Sequence, residues 1–273
     1  MIKLKTAIKL PVIILAIIIF TVGCAKSIIT MFETAPPHVE NEASTTGENQ
    51  PEVSKGVHDN VFKEKVICID AGHGNPNHPV RYEKIAPASE ILKPATAYGT
   101  VGVSTKIPEY QLTMTVSAKI RDKLRLLGAE VIMTRESNET DLGNIERAET
   151  ANKNSADISL RIHADGSEDS SVTGISVLYP GNKYITNEEM INKSKLAANF
   201  VLNGLVESTN GRSRGIVARN DLTGFNWSKV PAVLIEMGFL TNPAEDQALN
   251  TDDYQNKIVE GIIKGLNDYF NSI

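Results

Sequence analysis

Apolar and polar residues alternate with two different periods from about residue 66 onward. Short apolar runs rich in β-branched residues, which are typical of strands, occupy 66–70, 130–134, 158–162, 174–179 and 231–236. Apolar positions spaced three or four residues apart predict helices at 109–127, 144–152, 190–206 and 254–270, and a further helix start is predicted at Asn242. Strands and helices that alternate in this way are typical of βαβ units. The pattern therefore predicts a single α/β domain with a mostly parallel, twisted sheet flanked by helices.

Residues 1–24 have the pattern of an export signal. Three lysines precede an apolar run at 10–22, which is shorter than the roughly 20 apolar residues of a membrane-spanning helix. The run ends in Thr-Val-Gly-Cys, which resembles a bacterial lipobox, in which Cys24 is lipidated and becomes the mature N-terminus. An uncleaved membrane anchor and an ordinary signal peptide are the alternatives. All three interpretations predict export to the cell envelope. A lipidated Cys24 or an uncleaved anchor would also attach the protein to the membrane.

Residues 25–61 lose this periodicity and contain many Pro, Ser, Thr, Gly and acidic residues. Such a segment cannot bury enough apolar surface to offset the entropy lost on ordering, so it is predicted to be a disordered linker. The folded domain is then expected at 62–273.

The overall composition narrows the class of protein. A formal net charge of −5 and an aromatic content of 5% argue against nucleic acid as a partner, because nucleic-acid binders usually carry a basic excess. Two cysteines, Cys24 and Cys68, are too few for a disulfide framework. Cys68 lies inside the apolar run at 66–70, which predicts a small buried core residue.

Four residues that can carry chemistry lie at the ends of predicted elements. His73 and His163 follow the ends of two strands, and Glu236 ends a third. Glu109 opens a helix, and helices that follow strands begin at the same edge of a parallel sheet. Because ligands bind at the carboxyl edge of such sheets, these four side chains are expected to converge.

Two histidines and one carboxylate form the donor set of a catalytic zinc site, because they leave a fourth position open. Zinc would lower the pKa of a bound water and polarise a carbonyl oxygen, and Glu236, at the end of an apolar strand, would act as general base and then acid. Taken singly, each residue also fits a structural role. His73 between two glycines fits a solvated turn, Glu109 fits an acid at a helix start, and His163 fits a hydrogen-bonded histidine at a strand end.

Four segments around these residues occur in a characteristic order. They are VICIDAGHG at 66–74, PEYQL at 108–112, SLRIHAD at 159–165 and PAVLIEMGFLTN at 231–242. Together they resemble the zinc-dependent N-acetylmuramoyl-L-alanine amidases of bacterial cell walls, the family called amidase type 3. The resemblance covers about 65–270, which is essentially the whole predicted domain.

The resemblance implies a peptidoglycan hydrolase that cleaves the amide between N-acetylmuramic acid and the L-alanine of the stem peptide. It also implies one zinc ion per domain, with His73, Glu109 and His163 as ligands and Glu236 as the catalytic base. A zinc peptidase acting on stem peptides would use the same centre. A catalytically inactive peptidoglycan-binding regulator is a third reading, and the presence of Glu236 with all three ligands argues against it.

The sequence gives weaker indications that several other polar residues belong to the active site. Asp70 and Asp165 could orient the two histidine rings, or could form turns. Arg214 and Arg219 could bind a carboxylate of the stem peptide, although a solvated loop position is favoured for each. The segment 75–106 is longer than is common in the family, so it could shape the choice of substrate.

Overall fold

The computed structural model describes residues 60–75, 79–140 and 142–273. The predicted signal with Cys24, and nearly all of the predicted linker, lie outside the described residues. In the part of the chain that is described, no helix has the length and apolar character needed to cross a membrane. Phe62, the first residue of the predicted domain, is buried and packs edge to face on Phe270, with the ring centroids 6.0 Å apart.

The described strands form one large sheet and one small hairpin. They are β1 (Val66–Ala71), β2 (Tyr82–Lys84), β3 (Leu92–Pro94), β4 (Glu130–Met133), β5 (Ile158–Asp165), β6 (Ile175–Pro180), β7 (Ser213–Arg219) and β8 (Ala232–Phe239). The large sheet has the order β4-β1-β5-β8-β6-β7, and every neighbouring pair is parallel except β6 and β8. Strands β2 and β3 pair only with each other and are antiparallel. The predicted mostly parallel sheet is therefore confirmed.

Four of the helices occur where the apolar spacing predicts them, whereas the short helix at 223–226 was not predicted. The described helices are α1 (Glu109–Leu126), α2 (Asn144–Lys153), α3 (Glu188–Thr209), α4 (Thr223–Asn226), α5 (Pro243–Leu249) and α6 (Asp252–Asn271). The predicted start at Asn242 is also confirmed, because the Asn242 side chain accepts hydrogen bonds from the backbone N–H groups of Ala244 and Glu245, both at 3.1 Å.

Helices cover both faces of the sheet, which explains its continuous apolar strands. Ile67 and Ile69 of β1 are buried in the core cluster shared with α1, α3 and α6. Cys68 between them packs instead on Ala151 of α2. The prediction that Cys68 is a core residue is confirmed, and its burial raises the pKa of the thiol to about 12.

The long segment 75–106 is fastened to the domain at both ends. Near its start, the Trp227 indole Nε1 donates a hydrogen bond to the backbone carbonyl of Lys84 in β2, at 2.9 Å. Near its end, the buried Asp246 carboxylate accepts hydrogen bonds from the backbone N–H of Thr105 at 2.8 Å and from its hydroxyl at 2.6 Å. The described residues 79–106 are therefore held beside the carboxyl edge of the sheet.

Candidate metal centre and active site

Three side chains from separate elements meet at the carboxyl edge of the sheet. His73 follows β1, Glu109 is the first residue of α1, and His163 lies near the end of β5. The His73 Nε2, Glu109 Oε1 and His163 Nδ1 atoms form a triangle whose three sides are each 3.1 Å. Each residue thus offers one possible metal-ligand atom to the same point.

The turn after β1 directs the His73 ring toward that point. His73 itself has a φ of 60°, in the left-handed region that few non-glycine residues adopt. The Arg147 guanidinium supports this conformation because its Nη2 donates a hydrogen bond to the His73 carbonyl at 2.7 Å. The preceding Gly72 provides space, since a Cβ there would lie 2.5 Å from Cε1 of His163.

Backbone groups fix the orientation of two of the candidate ligand side chains, those of His73 and Glu109. The His73 Nδ1 lies 2.9 Å from the Ala97 carbonyl, to which it can only donate, and this leaves a lone pair on Nε2. The two oxygens of Glu109 accept hydrogen bonds from the backbone N–H groups of Thr100 at 2.9 Å and Ala164 at 3.0 Å. The sequence could not predict these contacts, because backbone donors and acceptors have no residue-specific signal.

The three donors fit a small divalent cation. Burial acts to raise the pKa of Glu109, but the close contacts of its carboxylate with the His163 and His73 rings outweigh burial and hold that pKa well below its usual range. Burial lowers the pKa of His163 to about 4. A carboxylate and neutral imidazoles are the forms that bind metals. Ligand atoms around a tetrahedral zinc ion are separated by about 3.3–3.5 Å, which is close to the 3.1 Å sides of this triangle.

Glu236 is brought to this centre by strand pairing. It lies in β8 directly opposite His163 of β5 in the parallel register. Both residues line one cavity of about 410 Å³. The Glu236 Oε2 atom is buried and has no hydrogen-bond partner among the described residues. Burial, followed by the negative charges of Glu109 and Asp165, raises the pKa of Glu236 well above its usual value.

Asp70 does not orient a histidine ring but compensates buried arginines. Its carboxylate accepts hydrogen bonds from Arg147 Nη1 and Thr134 Oγ1 at 2.7 Å and from Arg161 Nε at 2.9 Å. Burial acts to raise the pKa of Asp70, but the two arginines hold it well below its usual range. Because Arg147 also binds the His73 carbonyl, Asp70 supports the metal centre through the backbone.

The three remaining candidates, Asp165, Arg214 and Arg219, have different roles in the structure. Asp165 accepts a hydrogen bond from the N–H of Gly166 at 2.8 Å, so the turn-forming interpretation applies. The Arg214 guanidinium lies 5.0 Å from the centre of the Phe239 ring and is not among the residues that line the cavity. Arg219 does line it, at the end of β7.

The fold and the metal centre together define a class of protein. It comprises α/β domains that gather a His–Glu–His cluster and a partly buried glutamate at the carboxyl edge of a mostly parallel sheet. Residues 67–268 match the family model Amidase_3, whose description is N-acetylmuramoyl-L-alanine amidase. The chain belongs to this family. Its members are hydrolases that cleave the bond between N-acetylmuramic acid and L-alanine.

Individual relatives agree with this membership. The germination-specific N-acetylmuramoyl-L-alanine amidase of Bacillus subtilis is 30% identical over 222 residues, which cover 76% of this chain and 80% of that protein. The solved N-acetylmuramoyl-L-alanine amidase of Clostridium difficile 630 is 29% identical with a TM-score of 0.63, covering 77% of this chain and 98% of that one. The amidase Ami1 of Mycobacterium smegmatis supports the fold, with a TM-score of 0.70 at 24% identity and coverage of 78% and 99%.

Proposed function

We propose that this protein is a zinc-dependent amidase that cleaves the bond between N-acetylmuramic acid and the L-alanine of the stem peptide in peptidoglycan. The observation that carries the proposal is the triangle of His73 Nε2, Glu109 Oε1 and His163 Nδ1, with the partly buried Glu236 on the strand beside it. Membership of the family supports the bond between N-acetylmuramic acid and L-alanine as the one that is cleaved, and the two histidines and one glutamate support zinc as the metal.

In the proposed mechanism, the chain positions the reacting groups and moves one proton. Zinc held by the three ligands would supply a Lewis acid that lowers the pKa of water to about 7 and polarises the scissile carbonyl. The Glu236 carboxylate takes a proton from the attacking water and delivers it to the alanine nitrogen as the amide bond breaks. Its buried, unpartnered Oε2 and raised pKa suit a group that must hold this proton between the two steps.

The test is the identity of the amino group that hydrolysis releases. Protein supplied with zinc is incubated with peptidoglycan, and the new amino termini are labelled and identified by mass spectrometry. The proposal predicts free stem peptides that begin with L-alanine. New termini at other positions in the stem would indicate a zinc peptidase instead, and no release of peptide would support the inactive, peptidoglycan-binding alternative.

Export and lipid attachment at Cys24 form part of the same proposal, because peptidoglycan lies outside the cytoplasm. Support comes from the lysines and apolar run of 1–24 and from the similarity to cell-wall amidases. Mass spectrometry of the mature protein tests it. A diacylglycerol-modified N-terminal Cys24 is expected, whereas an N-terminus elsewhere would contradict lipidation.

A further inference from the structure

The cavity of the metal centre is also lined by a cationic cluster that the proposed mechanism does not use. Lys93 of the hairpin strand β3 reaches across to the loop after β7, where its Nζ donates a hydrogen bond to the Asp221 carbonyl at 2.6 Å. Arg219 donates two hydrogen bonds to the carboxylate of the same Asp221, from Nε at 2.7 Å and from Nη2 at 2.8 Å. All three residues line the cavity that contains Glu236.

The charges in this cluster do not cancel. The bidentate pair uses the whole Asp221 carboxylate, so Arg219 and Asp221 neutralise each other. Lys93 contributes a further positive charge close to Asp221, although no carboxylate among the described residues lies within ion-pair distance of its Nζ. Its ammonium has three donors, of which the Asp221 carbonyl accepts one, and Arg219 Nη1 takes no part in the bidentate pair. Among the described residues these remaining donors have no acceptor, and both side chains line the cavity.

The hairpin holds Lys93 in a fixed place. Side chains alternate along β3, so Lys93 is directed to the opposite side from its exposed neighbour Leu92. The Trp227 and Asn226 side chains bind the hairpin carbonyls of Lys84 at 2.9 Å and Ile85 at 3.0 Å. A donor fixed in advance binds an anion with less loss of conformational freedom.

We propose that Lys93 and the free Nη1 of Arg219 form a subsite for a carboxylate of the stem peptide, beyond its L-alanine. The inference rests on the proposed function and adds a substrate preference to it. A cavity of about 410 Å³ has room for a short peptide next to the metal centre. The Lys93 ammonium discriminates a free carboxylate from the isosteric carboxamide, because only the carboxylate carries a negative charge and forms an ion pair with it.

The test compares two soluble muramoyl-peptide substrates that differ only at the residue after L-alanine, which bears either a free carboxylate or a carboxamide. For the wild-type protein, kcat/KM is expected to be about 10- to 100-fold higher for the carboxylate. In Lys93→Met this ratio should fall to near one, whereas Lys93→Arg should retain most of it. Lys106→Met is the matched control, because the Lys106 Nζ also donates to a backbone carbonyl, that of Val103 at 2.6 Å, but lies outside the cavity. It should keep the wild-type ratio.

The outcomes separate this inference from the function on which it rests. Cleavage of both substrates at equal rates by the wild-type protein, or an unchanged ratio in Lys93→Met, would overturn the subsite and leave the amidase proposal standing. Cleavage of neither substrate would overturn the amidase proposal and the subsite with it. Melting temperatures of the variants show that each is folded, and the ratio is compared within each variant so that a general loss of activity does not affect it.

Discussion

Replacement of Asp70 by asparagine removes the carboxylate that, within the described part of the chain, pairs with both Arg147 and Arg161 beneath the metal centre. All three side chains are almost fully buried, and Asp70 is only 2% exposed. Removing one partner of a buried ion pair destabilises a protein by about 3–5 kcal/mol, because the remaining charge is left uncompensated. For a domain of this size, the melting temperature should fall by about 6–20 °C.

The pH dependence of this effect has a defined sign. The pKa of Asp70 is depressed in the folded protein, so its stabilisation is present above the ordinary pKa of about 3.9 and is lost as the pH falls further. The difference in unfolding free energy between the wild-type protein and Asp70→Asn should therefore stay constant from pH 8 to pH 5. It should become smaller below about pH 4.

Urea unfolding followed by circular dichroism measures this difference at each pH. Asp252→Asn is the control, because Asp252 pairs with Lys119 at 2.6 Å but its side chain is 86% exposed, and the exposed pair should contribute little. If Asp70→Asn unfolds at the same urea concentration as this control, the buried charge cluster does not support the fold as we argue.

Three further substitutions test individual contacts. In Gly99→Ala, the new Cβ would lie 2.6 Å from Glu109 Oε2 at a φ of 82°, so metal affinity measured by chelator competition should fall about 10- to 100-fold; unchanged affinity would contradict the fixed ligand geometry. Gly204→Ala would place a Cβ 2.2 Å from the Gly261 carbonyl between α3 and α6, and should destabilise the domain by about 1–3 kcal/mol in urea unfolding. Trp227→Phe removes the donor that holds β2, so hydrogen exchange should accelerate in the hairpin and not in the large sheet.

Continuous apolar runs made most strands of the large sheet predictable from the sequence, including the edge strand β4. Strands β1, β5 and β8 lie inside the sheet, and their continuous apolar runs are visible in the sequence. Strand β7 was not predicted, because it lies at the sheet edge, is half exposed and contains arginines and a glycine. The hairpin strands have only three residues each, which is too short for a periodic pattern.

At the site, features that depend on neighbouring residues could be predicted from the sequence, whereas contacts between residues far apart in the chain could not. The convergence of His73, His163 and Glu236 could be predicted, because parallel strands bring their carboxyl ends to one edge. The predicted strand ends were wrong, since β5 continues to Asp165 and β8 to Phe239. The partners of Asp70 could not be predicted, since Arg147 and Arg161 lie 77 and 91 residues away along the chain. An aspartate three residues before a histidine therefore suggested a local contact, but Asp70 forms long-range ion pairs with the two arginines instead.

Metal content and turnover of Glu236→Gln, measured on the same preparation, test whether Glu236 acts as the catalytic base without binding the metal. Glutamine keeps the shape of the side chain but cannot accept the proton, and Glu236 is not one of the three proposed ligands. We expect one zinc ion per chain, as in the wild-type protein, and turnover of peptidoglycan reduced by about 10²–10⁴-fold. Loss of zinc from this variant, or turnover at the wild-type rate, would contradict the roles assigned to the four residues.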